Sequence, residues 1–233
     1  METLGDQRQA LQDDLSAETT DIFYTETILD RYINRAHRAI ANLYPWQETQ
    51  RALKRSTIGG QEYLSYPENL RTDSVFLVRV DGQEYKILTF RDYQRHQELY
   101  PSNQDKRVSD WRRKLFIHPT PATDGNGNVE VWGHEVPDLL VEDTDTIVFA
   151  HQSTLEEAIN MYAKGLAYMK AKGTFFDRGK GLMGDALSMA QNEWRTQQKR
   201  QAEYKTENTE QWEHIDLMDE GGDRTHRGSF RTC

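Results

Sequence analysis

At 233 residues the chain has length for one or two domains, yet only 36% of it is apolar, with 11 Tyr, 5 Trp and 8 Phe supplying much of the bulk. Twenty-nine Lys and Arg against 38 Asp and Glu leave a net charge of −9, which argues against nonspecific binding to nucleic acid or anionic membranes, both driven by excess cation. The single cysteine, Cys233, excludes an intrachain disulfide, no apolar run reaches the length of a spanning helix, and the start METLGDQRQALQDDL reads as a soluble chain without a secretory leader.

Residues 1–24 are polar and acidic. Leu4, Leu11 and Leu15 would share one face of a helix, but three Leu bury little alone, so an N-terminal arm, frayed or docked on a partner, is expected. A helix is predicted over 25–43, where Ile28, Tyr32, Ile33, Ala36, Ile40 and Leu43 form one apolar stripe. Pro45 stops it, and Trp46 is placed to fold back under its end. From about 61 to 136 the period changes to two. Segments 74–80 and 83–88 flank Asp81-Gly82, a dipeptide suited to a tight hairpin. Segments 114–118 and 129–134 read as a second strand pair joined by the exposed loop PTPATDGNGN, with a short helix over 89–100 between the hairpins.

Helical spacing returns at Ser153, which with Glu156 makes a capping box. Leu155, Ile159, Tyr162, Leu166 and Met169 carry a helix over 153–172, ended by Gly173. The glycine-punctuated stretch TFFDRGKGLMG then reads as a turn leading to an N-cap at Asp185 and a helix over 185–205, polar in its second half. Residues 206–233 lack periodicity and read as an extended C-terminal arm. Its apolar anchors are Trp212, Ile215, Leu217, Met218 and Phe230, and its basic end holds Arg224, Arg227 and Arg231.

Catalytic and metal-binding patterns do not emerge. No two of the seven histidines share metal-ligand spacing, and neither a P-loop nor a Gly-x-Ser-x-Gly elbow occurs. His118 and His134 read as a cross-strand surface pair. DRGKGLMGD (177–185) resembles a phosphate cradle, but Asp177 and Asp185 oppose an anion there, and an interhelical turn is the simpler reading. Aromatic residues beside charge at YPWQ, DWRRKLF and EQWEH point to core packing or a protein interface rather than base stacking, given the acidic balance. The basic cluster Lys106, Arg107, Arg112, Arg113 and Lys114 is interrupted by Asp110. No enzyme activity, cofactor or metal is expected.

The stretches TILDRYINRAHRAIANLYPWQETQ (27–50), EYLSYPENLRTDSVFLVRVDGQEYKILTFRDYQ (62–94) and TLEEAINMYAKGLAYMKAKG (154–173), in that order, resemble the head–tail adaptor proteins of tailed bacteriophages, also called head-completion or connector proteins. The resemblance covers about 25–205. It implies an α+β fold: an antiparallel helical bundle of 25–43, 153–172 and 185–205 with an inserted small antiparallel β domain (about 61–136) and extended terminal arms. It implies a virion protein, assembled in the host cytoplasm, that forms a ring of about twelve copies beneath the portal and serves genome packaging and ejection. Its expected partners are the portal protein, neighbouring copies, a downstream connector or tail protein, and DNA that passes through without specific binding; no membrane is involved. The expected portal or subunit interface comprises Trp212, Ile215, Leu217, Arg224, Arg227, Phe230 and Arg231. The alternative function is a nucleic-acid-binding or packaging accessory module.

Overall fold

The computed structural model describes residues 3–18, 24–99, 105–170 and 174–226, with side chains for all of these except 16–18, 174 and 203–226. The N-terminal segment is helix α1 (Leu4–Glu18). Leu4, Leu11 and Leu15 do share a face, and all three are buried, which corrects the expected arm. Three Leu suffice because other elements provide the opposing surface: α1 packs on α2 (Glu26–Leu43), and Leu4 and Gly5 donate backbone hydrogen bonds to the 143–145 loop. Of the expected stripe, helix α2 buries Ile33, Ala36 and Ile40, together with Leu29, which the stripe omitted; Ile28 and Tyr32 are half-buried, and Leu43, at the helix end, is exposed. Trp46 folds under its end, fully buried, with its indole N–H donating to the Ile40 carbonyl at 2.9 Å.

Seven strands follow: β1 (Gln50–Arg55), β2 (Tyr63–Ser65), β3 (Leu77–Val80), β4 (Gln83–Ile87), β5 (Arg107–Trp111), β6 (Lys114–His118) and β7 (Val129–His134). They form one curled sheet in the order β1-β7-β3-β4-β5-β6-β2. Asp81-Gly82 is the β3–β4 hairpin turn, with Val80 paired to Gln83 and φ angles of 51° and 75°. Two expectations need correction. The strands at 114–118 and 129–134 exist but do not pair: β6 lies between β5 and β2, and β7 between β1 and β3. The sheet is also not wholly antiparallel, since β4 and β5 run parallel. Helix α3 (Phe90–Leu99) makes the crossover that a parallel pair requires. Strand β1 opens the β region at Gln50, ahead of the expected 61.

The chain then returns to helix: α4 (Ser153–Lys170) and α5 (Thr174–His226). Gln152, rather than Ser153, precedes the first turn of α4, and its carbonyl accepts from the Leu155 and Glu156 amides. The stretch read as a glycine-rich turn is the first part of α5, so neither a phosphate cradle nor an N-cap at Asp185 exists there. Its glycines serve packing. A Cβ on Gly179 would stand 2.6 Å from the Gly165 carbonyl oxygen, and one on Gly165 would stand 2.8 Å from that of Gly179. Only glycine permits backbones this close, and α5 runs back along α4 from that crossing to the Gln152–Gln197 contact. The helix also does not end near 205: its backbone stays helical to His226 instead of becoming extended. Gly173 and Cys233 lie outside the described residues.

The core has two parts. One joins α1, α2, α4 and α5 to Trp46, Leu140, Ile147 and Phe149; the other fills the sheet with Leu64, Val78, Val108, Leu115, Ile117, Val129 and Val131.

Candidate functional site

Where α2 ends and the sheet begins, Pro45 and the short 47–49 turn reverse the chain so that Tyr44 and Trp46 face α5. Trp194 stacks on Tyr44 at 5.5 Å between ring centres and meets Trp46 edge-on at 5.6 Å; Phe149 closes the group from the other side of Trp46. These aromatics are packing, as the acidic balance led us to expect for YPWQ. Beside them is a polar cleft of about 330 Å³ lined by Gln47, Gln152, Gln197, Arg200 and Gln201. The side-chain amides of Gln152 and Gln197 both donate to Glu48 Oε1. Glu48 Oε2 and Gln197 Oε1 are buried yet accept no hydrogen bond, although Gln197 is only 5% exposed.

A second polar group ties this junction to the sheet. His134 Nδ1 lies 3.0 Å from Thr49 Oγ1 and 3.1 Å from the Trp46 carbonyl, and burial pushes this imidazole below its ordinary value. His118 and His134 are both buried on strands that do not pair, so they form no cross-strand surface pair. His37, on α2, accepts the Val148 amide at Nε2 and is pushed down to about 4, chiefly by burial and then by Arg38. It is a neutral core acceptor and not a catalytic base at neutral pH. Among the described residues no group of three or more His, Cys, Asp or Glu is placed to hold a metal.

The sheet carries a separate aromatic and cationic surface. Phe90 stacks on Trp111 at 5.0 Å and tilts against Phe116, which also meets Tyr63. Trp111 is 44% exposed. Lys114 Nζ lies 3.9 Å above the Tyr63 ring, and Arg112 and Arg113 lie over Trp111 and Tyr66. The basic cluster read from sequence is thus divided: Arg112, Arg113 and Lys114 form the exposed turn and first residue of the β5–β6 hairpin, whereas Arg107 is buried and paired with Asp105. Sequence reading missed this turn because two arginines carry no turn signal.

On the helical side, the loop after β7 displays Leu139 and Val141, 55% and 71% exposed, on either side of buried Leu140. The loop is held firmly. Asn34 bonds both backbone groups of Leu140, and Asp145 accepts from the Val141 and Glu142 amides, which holds its carboxyl below the usual range.

Of the interface residues expected from sequence, Trp212, Ile215, Leu217 and Arg224 lie on the helical backbone of α5, and Arg227, Phe230 and Arg231 lie outside the described residues. A family model described as SU10 adaptor protein, a phage head–tail adaptor family, matches residues 3–214. That span includes α1, the whole sheet and α5 past Trp212. No curated protein matches the chain.

Proposed function

Because the chain belongs to the SU10 adaptor protein family, and so is a phage head–tail adaptor and a structural component of the virion, we propose that it forms a ring beneath the portal of a DNA-filled capsid. The ring, of about twelve copies, extends the channel for packaging and ejection and gives the next connector or tail component its docking surface. The observation that carries this reading is the continuity of the family match across residues 3–214, helices and sheet alike. The acidic balance supports it: a lining of net negative charge repels DNA and lets it slide, where a basic lining would bind it through counterion release. A lean apolar content suits a subunit stabilised partly by its neighbours. Assembly takes place in the host cytoplasm.

The test is imaging. Capsids purified with this chain bound should show, on rotational averaging of the neck, a ring directly under the portal. Particles that carry the chain elsewhere, or bind it as scattered single copies, would remove the reading.

A further inference from the structure

Two open surfaces of this chain match each other in chemistry. On the sheet, Tyr63, Phe116, Phe90 and Trp111 form a row of rings, with successive centres 5.9, 5.0 and 5.0 Å apart. The inner two are half-buried, and the outer two, Tyr63 and Trp111, are exposed. Lys114 Nζ stands over Tyr63 and the Arg112 guanidinium over Trp111, and neither cation enters an ion pair among the described residues. Neighbouring Arg113 is already used inside the chain, donating to the Glu68 carbonyl at 3.2 Å. A contiguous exposed apolar face marks a contact site, where scattered single residues do not.

The loop after β7 offers the counterpart. Exposed Leu139 and Val141 are flanked by exposed Asp138 and Glu142, and PDLLVEDTDT (137–146) holds four acids and no base. Asp143 is paired with Arg8, and Asp145 is spent on the loop's own amides. Asp138 and Glu142 enter no ion pair among the described residues. Hydrogen bonds from Asn34, Leu4 and Gly5 fix the loop in advance, so docking it orders little new chain. Two apolar side chains thus answer two exposed rings, and two free acids answer two free cations. We propose that the 138–142 loop of one copy docks on the ring row of a second copy. Leu139 and Val141 pack on Trp111 and Tyr63, and Asp138 and Glu142 face Arg112 and Lys114. The occupant is a second copy because the chain itself carries both halves of the match, and at a net charge of −9 each copy presents an anionic surface to the next. This contact rests on the ring reading, which sets copies side by side. It joins two different surfaces, so it repeats from copy to copy and closes where the rotation allows.

The test mixes unlabelled and nitrogen-15-labelled full chain, in solution and on portal-bearing capsids, and treats it with a carbodiimide, which joins an amine to a touching carboxylate. Mass spectrometry should find Lys114 of one label linked to Asp138 or Glu142 of the other, a readout that needs no variant to fold. In parallel, rings are scored by electron microscopy, melting temperature by calorimetry and duplex-DNA affinity by anisotropy. R112E/K114E and D138K/E142K change only exposed side chains, so each should melt near the parent temperature. Each should nonetheless lower ring occupancy about tenfold, the scale of losing two exposed ion pairs. The chain with all four reversals should regain rings, and L139S/V141S should lose them with no change of charge. Normal rings from either folded charge variant overturn the contact, as does a fourfold reversal that restores nothing. A link confined to one label overturns it too. Weaker duplex-DNA binding by R112E/K114E with rings intact overturns it and assigns the ring row to nucleic acid. Wild-type rings without the link sink the contact alone, whereas linked wild-type copies that form no ring sink the ring reading and leave the contact standing.

Discussion

His37 shows how one buried side chain sets a pH limit for the whole fold. Its imidazole sits against Phe149 and accepts the Val148 amide, and burial holds it near 4, against about 6.5 for an exposed histidine. The unfolded chain therefore binds the proton more readily between those values. Stability from this group is complete above about pH 6.5 and is lost as pH falls toward 4, by an amount on the order of 3 kcal/mol. His134 is shifted in the same direction and adds to the loss. Melting temperatures should drop between pH 7.5 and 4.5, and His37→Gln, which keeps an acceptor but does not titrate, should flatten that drop. At Gly82 the limit is conformational. A Cβ there meets nothing within 4 Å, but φ is 75°. Gly82→Val should cost about 1 kcal/mol or more from backbone strain alone, and calorimetry that finds no change would contradict the turn assignment.

At the scale of elements, glycines in α5 separate local propensity from packing. Gly179→Ala drives a methyl into the Gly165 backbone and should destabilise by about 1–3 kcal/mol. Gly181→Ala, in the same helix with open space around it, should stabilise by about 0.5–1 kcal/mol. Urea denaturation of both variants checks the opposite signs. The same contrast explains what was legible in sequence. Helix α2, α4 and the Asp81-Gly82 hairpin carry their own signals, an apolar stripe or a turn dipeptide, and form where expected. Strands β1 (QRALKR) and β5 (RVSDW) are short and polar; pairing with distant β7 defines β1, and a place between β4 and β6 defines β5. Helix α1 needs α2 and the 143–145 loop to make three Leu into a core. The start of α5 reads as a turn in sequence because glycine is a poor helix former, a preference the close crossing with α4 overrides. Of the candidate surfaces, the basic residues of 112–114 were visible as a cluster, but their left-handed turn was not. The cleft beside Glu48 joins residues over a hundred positions apart, Gln47 and Gln152 among them, and leaves no local trace.

For the whole molecule, the described core residues run from Leu4 to Ala190, with Trp194 packed against them. Truncation after Lys205 should leave the melting temperature near that of the full chain while abolishing or greatly weakening attachment to capsids, which co-sedimentation measures. This is where we place the docking role of Trp212, Ile215, Leu217, Arg224, Arg227, Phe230 and Arg231, and undiminished sedimentation of the truncated chain would remove it. The length of α5 adds a mechanical consequence. Gln197 bonds the helix to the body through Glu48 and Gln152, and the helical backbone goes on to His226, about 45 Å further at about 1.5 Å per residue. Gln197 is thus one anchor on a long lever. A tilt of about 5° there swings the far end through about 4 Å, enough to part a hydrogen-bonded pair.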